Sequence, residues 1–262
     1  MNRTSWAAHA RAILIALSVV AAASPVWALS YRAEYEASIL GVVVLGRASV
    51  QGAVLNGRYT SAATLRTSGA AALFDQTNIT ANASGVVTPR GVGWTSYNLS
   101  HAYASKFRRV SMRRAGGVTQ ATVTPRYWDM GVPPATAAQR NGSYDPVSAL
   151  FALGRLIGQA RACTGTVGVY DGRQYYRLSV TPRATGTFRG GGYSGPALSC
   201  AMRYTPIAGF SDMTPAARAR IPVATAWFTR PAQGGVAIPL RIIVPTPIGA
   251  AQLDIRSYRY AP

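Results

Sequence analysis

Glu34 and Glu36 are the closest approach to a reactive pair in this sequence. On an extended strand two such side chains share one face about 7 Å apart. An inverting glycosidase holds its acid and base about 6.5 to 9.5 Å apart, so spacing alone admits that chemistry. The surrounding pattern argues for something plainer. Tyr31, Ala33, Tyr35 and Ala37 fall on one face and Arg32, Glu34 and Glu36 on the other, as on a strand with one solvated side. The chain has two histidines. His9 sits in the N-terminal segment discussed below, and His101 has no Gly-x-Ser-x-Gly elbow to serve, so a Ser-His-Asp relay is not indicated. One remaining histidine and two cysteines fall short of a zinc ligand set, and the other acids are too scattered to cage calcium. No catalytic residue, metal site or cofactor is expected.

The other local feature with chemical promise is Lys106-Phe107-Arg108-Arg109-Val110-Ser111-Met112-Arg113-Arg114. As a strand it places Lys106, Arg108 and Arg114 on the face of Val110 and Met112, and Arg109 and Arg113 on the face of Phe107 and Ser111. Charge on both faces suits a projecting hairpin or a charge-protected edge strand. Lys106, Arg108, Arg109, Arg113 and Arg114 are candidate ligands for phosphates or an anionic lipid surface. The same charges would also serve solubility alone.

Compartment follows from the first 28 residues. Asn2, Arg3 and Arg11 form a basic head, Ala12 to Ala23 is an apolar run, and Val26-Trp27-Ala28 offers small residues at a cleavage site. That is the layout of a signal peptide, residues 1–28, with a mature chain from Leu29. Its apolar run rises about 18 Å as a helix, short of a bilayer core of about 30 Å. A periplasmic or secreted protein is expected, touching membranes peripherally. The whole chain carries 27 Lys and Arg against 8 Asp and Glu, a net charge of +19. Loss of Arg3 and Arg11 leaves 25 cations against 8 acids, or +17. Such a surplus attracts polyanions. Outside the cytoplasm these are lipid headgroups, lipopolysaccharide phosphates or acidic wall polymers, with envelope proteins as further possible partners and no nucleic acid expected. In an oxidising compartment Cys163 and Cys200 read as one disulfide, closing a loop worth about 4 kcal/mol in the chain-entropy model.

Strand patterns dominate the rest. Asn56-Gly57 and Asp171-Gly172 mark hairpins. One helix is clear: Asp145 is a good N-cap, Pro146 fits the first turn, and Val147, Leu150, Phe151, Gly154 and Ile157 trace a stripe that Leu153 and Leu156 widen, ending near Arg161. A short helix is expected after Thr214-Pro215. Gly190-Gly191-Gly192 reads as a mobile loop, and the Pro-rich stretch 125–140 is the one plausible internal boundary. Residues 29–262 are expected to form a single β-rich domain, a barrel or sandwich of about a dozen strands. Leu150, Phe151, Leu153 and Ile157 then line either a closed core or an open groove between helix and sheet able to hold an acyl chain.

Four segments in this order carry a family resemblance: Ser143-Tyr144-Asp145-Pro146-Val147-Ser148-Ala149-Leu150; Val169-Tyr170-Asp171-Gly172-Arg173; Cys200-Ala201-Met202-Arg203-Tyr204 with Ile207-Ala208-Gly209-Phe210; and Pro239-Leu240-Arg241-Ile242 closing on Thr246-Pro247-Ile248-Gly249. The chain resembles the bacterial periplasmic family called domain of unknown function 3108. The resemblance implies a mainly β fold, a curled antiparallel sheet or incompletely closed β-barrel wrapped around one central α-helix, similar to lipoprotein carriers, and it transfers no catalytic residues. The expected function is that of an exported non-enzymatic envelope protein binding a lipid-like or anionic component. A structural envelope protein and a carboxylate-dependent wall hydrolase are the alternatives.

Overall fold

A computed structural model describes residues 28–262 except 74–75, 105, 212, 233–234 and 262, so the expected signal peptide lies outside the described residues. The described chain is mainly β. Its strands are β1 (Leu29–Ile39), β2 (Val43–Leu55), β3 (Arg58–Thr67), β4 (Thr77–Thr88), β5 (Gly91–Tyr103), β6 (Lys106–Ala115), β7 (Val118–Thr124), β8 (Gly165–Tyr170), β9 (Tyr175–Gly190), β10 (Tyr193–Ala208), β11 (Ala224–Thr229), β12 (Pro239–Thr246) and β13 (Gly249–Ala261). Three α-helices accompany them: α1 (Ala137–Asn141), α2 (Pro146–Ala160) and α3 (Pro215–Ala219). All thirteen strands join one sheet in the order β7-β6-β5-β4-β3-β2-β1-β13-β12-β11-β10-β9-β8. Every neighbouring pair is antiparallel, and β7 and β8 are the two edges, so the sheet does not close into a barrel.

Alternation in the sequence sets the two faces. Tyr31, Ala33 and Tyr35 are buried while Arg32 is exposed. The Asn56-Gly57 hairpin forms as the sequence indicates, with both residues at positive φ. The Gly-rich stretch corrects one expectation. β9 and β10 extend until Gly190 pairs with Tyr193, so Gly191 and Gly192 make a tight hairpin turn rather than a mobile loop. Gly191 has φ +57°, and a Cβ there would stand 2.6 Å from the Ile255 carbonyl oxygen. Glycine is required by both conformation and space.

Helix α2 starts and stops where its cap signals place it. Asp145 Oδ1 accepts hydrogen bonds from the backbone N–H groups of Val147 (3.0 Å) and Ser148 (2.9 Å), and Arg161 ends the helix in the left-handed region. Toward β3 and β5 the contacts are side chains. The Tyr59 ring stacks on Phe151 at 4.8 Å, the Tyr59 and Ser148 hydroxyls are 2.6 Å apart, and Trp94 Nε1 donates to the Ser143 carbonyl at 2.8 Å. Toward the 231–238 segment the contacts are backbone. Ala237 N–H donates to the Gly154 carbonyl at 2.9 Å, and a Cβ on Gly158 would stand 2.0 Å from the Gly235 carbonyl oxygen. Leu153 and Ile157 complete a second cluster with Val180, Leu198, Ala226 and Phe228. The disulfide Cys163–Cys200 is formed and ties the end of α2 to β10.

Segment 125–145 leads from the β7 edge toward the β8 edge. Tyr144 exchanges backbone hydrogen bonds with β8, donating to Gly168 at 2.9 Å and accepting from Tyr170 at 2.8 Å, while Asn141 Oδ1 accepts from the Thr119 N–H of β7 at 2.9 Å. The β8–β9 turn reaches the β6–β7 side of the sheet: a Cβ on Gly172 would lie 2.9 Å from Val110 Cγ1 of β6 and 3.4 Å from Val123 Cγ2 of β7.

Candidate functional site

Strand β6 is an interior strand, hydrogen-bonded to β5 and β7. This corrects the expectation of a projecting hairpin or edge strand, which read its two-sided charge as protection and missed that β7 covers its far side. Val110 and Met112 are buried, and the cations beside them on the inner face are spent locally. The Arg108 guanidinium lies 3.9 Å from the centre of the Tyr127 ring, and Arg114 Nη1 donates to the Ser143 carbonyl at 3.4 Å. Arg109 and Arg113 point outward and Lys106 is exposed at the start of the strand. The five candidate cations therefore occupy two faces and do not converge on one ligand.

A cluster that the sequence did not announce forms where segment 125–145 meets the β8–β9 turn. Tyr127 is held between Arg108 and Arg173, whose guanidinium is 5.0 Å from the ring centre. Arg173 Nη2 donates to Asp129 Oδ1 at 2.6 Å and also bonds Ser211. The Gly131 N–H and the Arg173 guanidinium hold the Asp129 carboxyl below its usual range. Asp171 accepts from the backbone N–H groups of Arg173 (2.9 Å) and Gln174 (2.7 Å), but burial pushes its carboxyl up. Burial also raises the Tyr127 hydroxyl, against the pull of the two arginines. The Asp171-Gly172 turn was the one signal for this cluster. Tyr127, Asp129 and Ser211 carry none, because nothing periodic links them.

The outer face carries the rest. Over β13, β1, β2 and β3 a hollow of about 550 Å³ is lined by Arg32, Arg47, Arg66 and Arg256 around Glu34 and Glu36. Both glutamates are taken up by arginines, Glu34 by Arg32 at 3.1 Å and Glu36 by Arg256 at 2.6 Å. A neighbouring hollow of about 650 Å³ includes the small polar side chains Ser30, Gln51, Thr60, Asn82, Ser84 and Ser96. The four residues named for a groove on α2 divide. Phe151, Leu153 and Ile157 are enclosed in the core, whereas Leu150 is 44 % exposed.

A model of a family of proteins of unknown function, DUF3108, matches residues 30–256. The chain belongs to the DUF3108 family. Among solved structures, this DUF3108 protein is similar to a β-barrel-like protein of domain of unknown function DUF1849 from Brucella abortus, with a TM-score of 0.54 and 11% identity over 89% of this chain and 98% of that one. It also matches a "putative lipoprotein" from Parabacteroides distasonis, with a TM-score of 0.36 and 8% identity over 88% of this chain and 95% of that one. No curated protein matches it. The Brucella likeness concerns the fold alone. What the DUF3108 chain offers chemically is guanidinium groups on an open β-surface, suited to charge-assisted hydrogen bonds with phosphates and carboxylates.

Proposed function

We propose that this DUF3108 protein is an exported, non-enzymatic envelope protein that binds an anionic lipid or polymer on the outside of a sheet curled around α2. The outer hollow carries this reading: Arg32 and Arg256 pair with its two glutamates, and Arg47 and Arg66 remain as its surplus positive charge. The enclosure of Phe151, Leu153 and Ile157 favours surface binding over an acyl chain held beside the helix. No helix among the described residues is long and apolar enough to cross a membrane, consistent with peripheral contact. Glu34 and Glu36 each stand as the ion-pair partner of an arginine.

The test is co-sedimentation with phosphatidylglycerol and phosphatidylcholine vesicles, alongside binding of soluble polyphosphate, over a salt series. Binding to anions that weakens steeply between 0.05 and 0.5 M salt is expected, with none to phosphatidylcholine (roughly the range over which exposed charges become screened). Indifference to every anion at low salt, or a glycan hydrolysis abolished by Glu34→Gln, would overturn the reading.

A further inference from the structure

Strand order decides which connections share an end of the sheet. The β1–β2, β3–β4, β5–β6, β8–β9, β10–β11 and β12–β13 connections and the exit of β7 all emerge together. Two apolar patches stand at this end. The first is segment 127–132. Tyr127, Asp129 and Gly131 turn inward, onto Arg108, onto Arg173 and against Gly209. The alternate residues turn out: Trp128 is 95% exposed, Met130 44% and Val132 77%. A period-2 segment on a water-facing surface ordinarily does the reverse. The segment is also fixed in place, for the Val132 N–H donates to the Phe210 carbonyl at 3.0 Å. The second patch joins two hairpin tips. The Leu40 N–H donates to the Ala250 carbonyl at 2.9 Å, which holds the β1–β2 tip beside the β12–β13 tip, and Val42 and Ile248 on these tips are 77% and 73% exposed. At the opposite end the large apolar side chains left in water include Leu55, Val86, Val118 and, less exposed, Leu156 beside Gly165.

Charge selects the partner. Lys106 and Arg126 are exposed beside the first patch and Arg220 follows α3 at the same end. Of the four acids in the connections at this end, Asp75 and Asp212 lie outside the described residues, and Asp129 and Asp171 are engaged inward. An apolar rim with outward cations, and with inward acids among the described residues, matches a leaflet whose headgroups are anionic and whose interior is hydrocarbon. A second copy of the chain would bring like charge against like, at +17 each for the mature chain expected above.

We propose that this end of the sheet docks on an anionic phospholipid leaflet, with Trp128 at headgroup depth and the Leu40–Val42 and Ile248 tips beside it. The proposal rests on the anion-binding reading above and sharpens it to one face and one partner. Tryptophan at such a boundary keeps its ring apolar and its N–H wet.

The experiment uses the purified protein and vesicles of phosphatidylglycerol mixed with phosphatidylcholine, some with brominated acyl chains. Binding should blue-shift tryptophan emission, and bromine should quench it. Trp94 is buried and Trp227 half-buried on β11, so the part of the change that belongs to Trp128 is the part lost in Trp128→Ser, and it should be most of it. Val42→Asp with Ile248→Asp should weaken vesicle binding tenfold or more. All three sites are exposed, so the thermal midpoint and polyphosphate binding should stay unchanged. Vesicle binding by these variants equal to the unsubstituted protein would overturn the proposal. So would polyphosphate binding without vesicle binding, which leaves the broader reading standing, or self-association that Trp128→Ser abolishes. Failure to bind either anion removes both readings together.

Discussion

Helix α2 meets its two sides by opposite means. Toward β3 it is separated by rings and hydroxyls, Phe151 on Tyr59 and Ser148 on Tyr59, and β5 holds the segment before it through the Trp94 indole N–H to the Ser143 carbonyl. Toward the 231–238 segment it has no spacer, and glycines bring backbone onto backbone at Gly154 and Gly158. The aromatic side can adjust by a rotamer. The glycine side has nothing to move except main chain, so its tolerance for added volume should be far smaller.

Gly158→Val tests that contrast most severely. Its Cβ would stand 2.0 Å from a carbonyl oxygen, and a loss of about 4 kcal/mol or more in chemical unfolding is expected. Phe151→Ala on the aromatic side should cost about 3 to 4 kcal/mol by leaving a cavity under Tyr59. If Gly158→Val were the milder change, the contrast would fail. Replacing Cys163 and Cys200 together by serine should cost about 3 kcal/mol and loosen the glycine side first, seen as hydrogen exchange rising in β10 before β3.

The N-terminal turn of α2 gives a smaller, pH-dependent test. Burial pushes the Asp145 carboxyl up to about 6 from an ordinary 3.8, so the folded chain holds this proton more tightly than the unfolded one. The stability it contributes is fully present below about pH 4 and is lost as pH rises through 6. Asp145→Asn keeps the cap and should flatten that slope by about 2 kcal/mol between pH 4 and 7. A slope unchanged in Asp145→Asn would assign it elsewhere, with Asp171 the next group to replace. Tyr59→Phe should have the least effect, about 1 kcal/mol, from a Ser148 hydroxyl left without its 2.6 Å partner.

Local signals were legible where one short stretch carried them. Asp145-Pro146 located the helix, Asn56-Gly57 and Asp171-Gly172 located hairpins, and alternation from Tyr31 onward located the first strand and its buried face. The misreadings share a cause. The sequence of β6 cannot say that β7 will lie beside it, and three glycines look slack until two sixteen-residue strands are seen to meet across them. The Tyr127–Arg173–Ser211 cluster joins residues far apart in the chain, brought together by the seam between the sheet edges. The apolar stripe Trp128-Met130-Val132 was visible as residues but not as surface, since its exposure depends on Asp129 and Gly131 being tied down behind it.

The pairing of β1 with β13 has a mechanical consequence. Ser30 lies opposite Ala261, so the outer ends of these two strands sit side by side at the same end of the sheet. Tension between them would act across the hydrogen bonds one rung at a time, as in opening a zipper, and would not shear the whole ladder at once. The sheet should part in its middle under low force, releasing one seven-stranded leaf and one six-stranded leaf, the second still stapled by its disulfide.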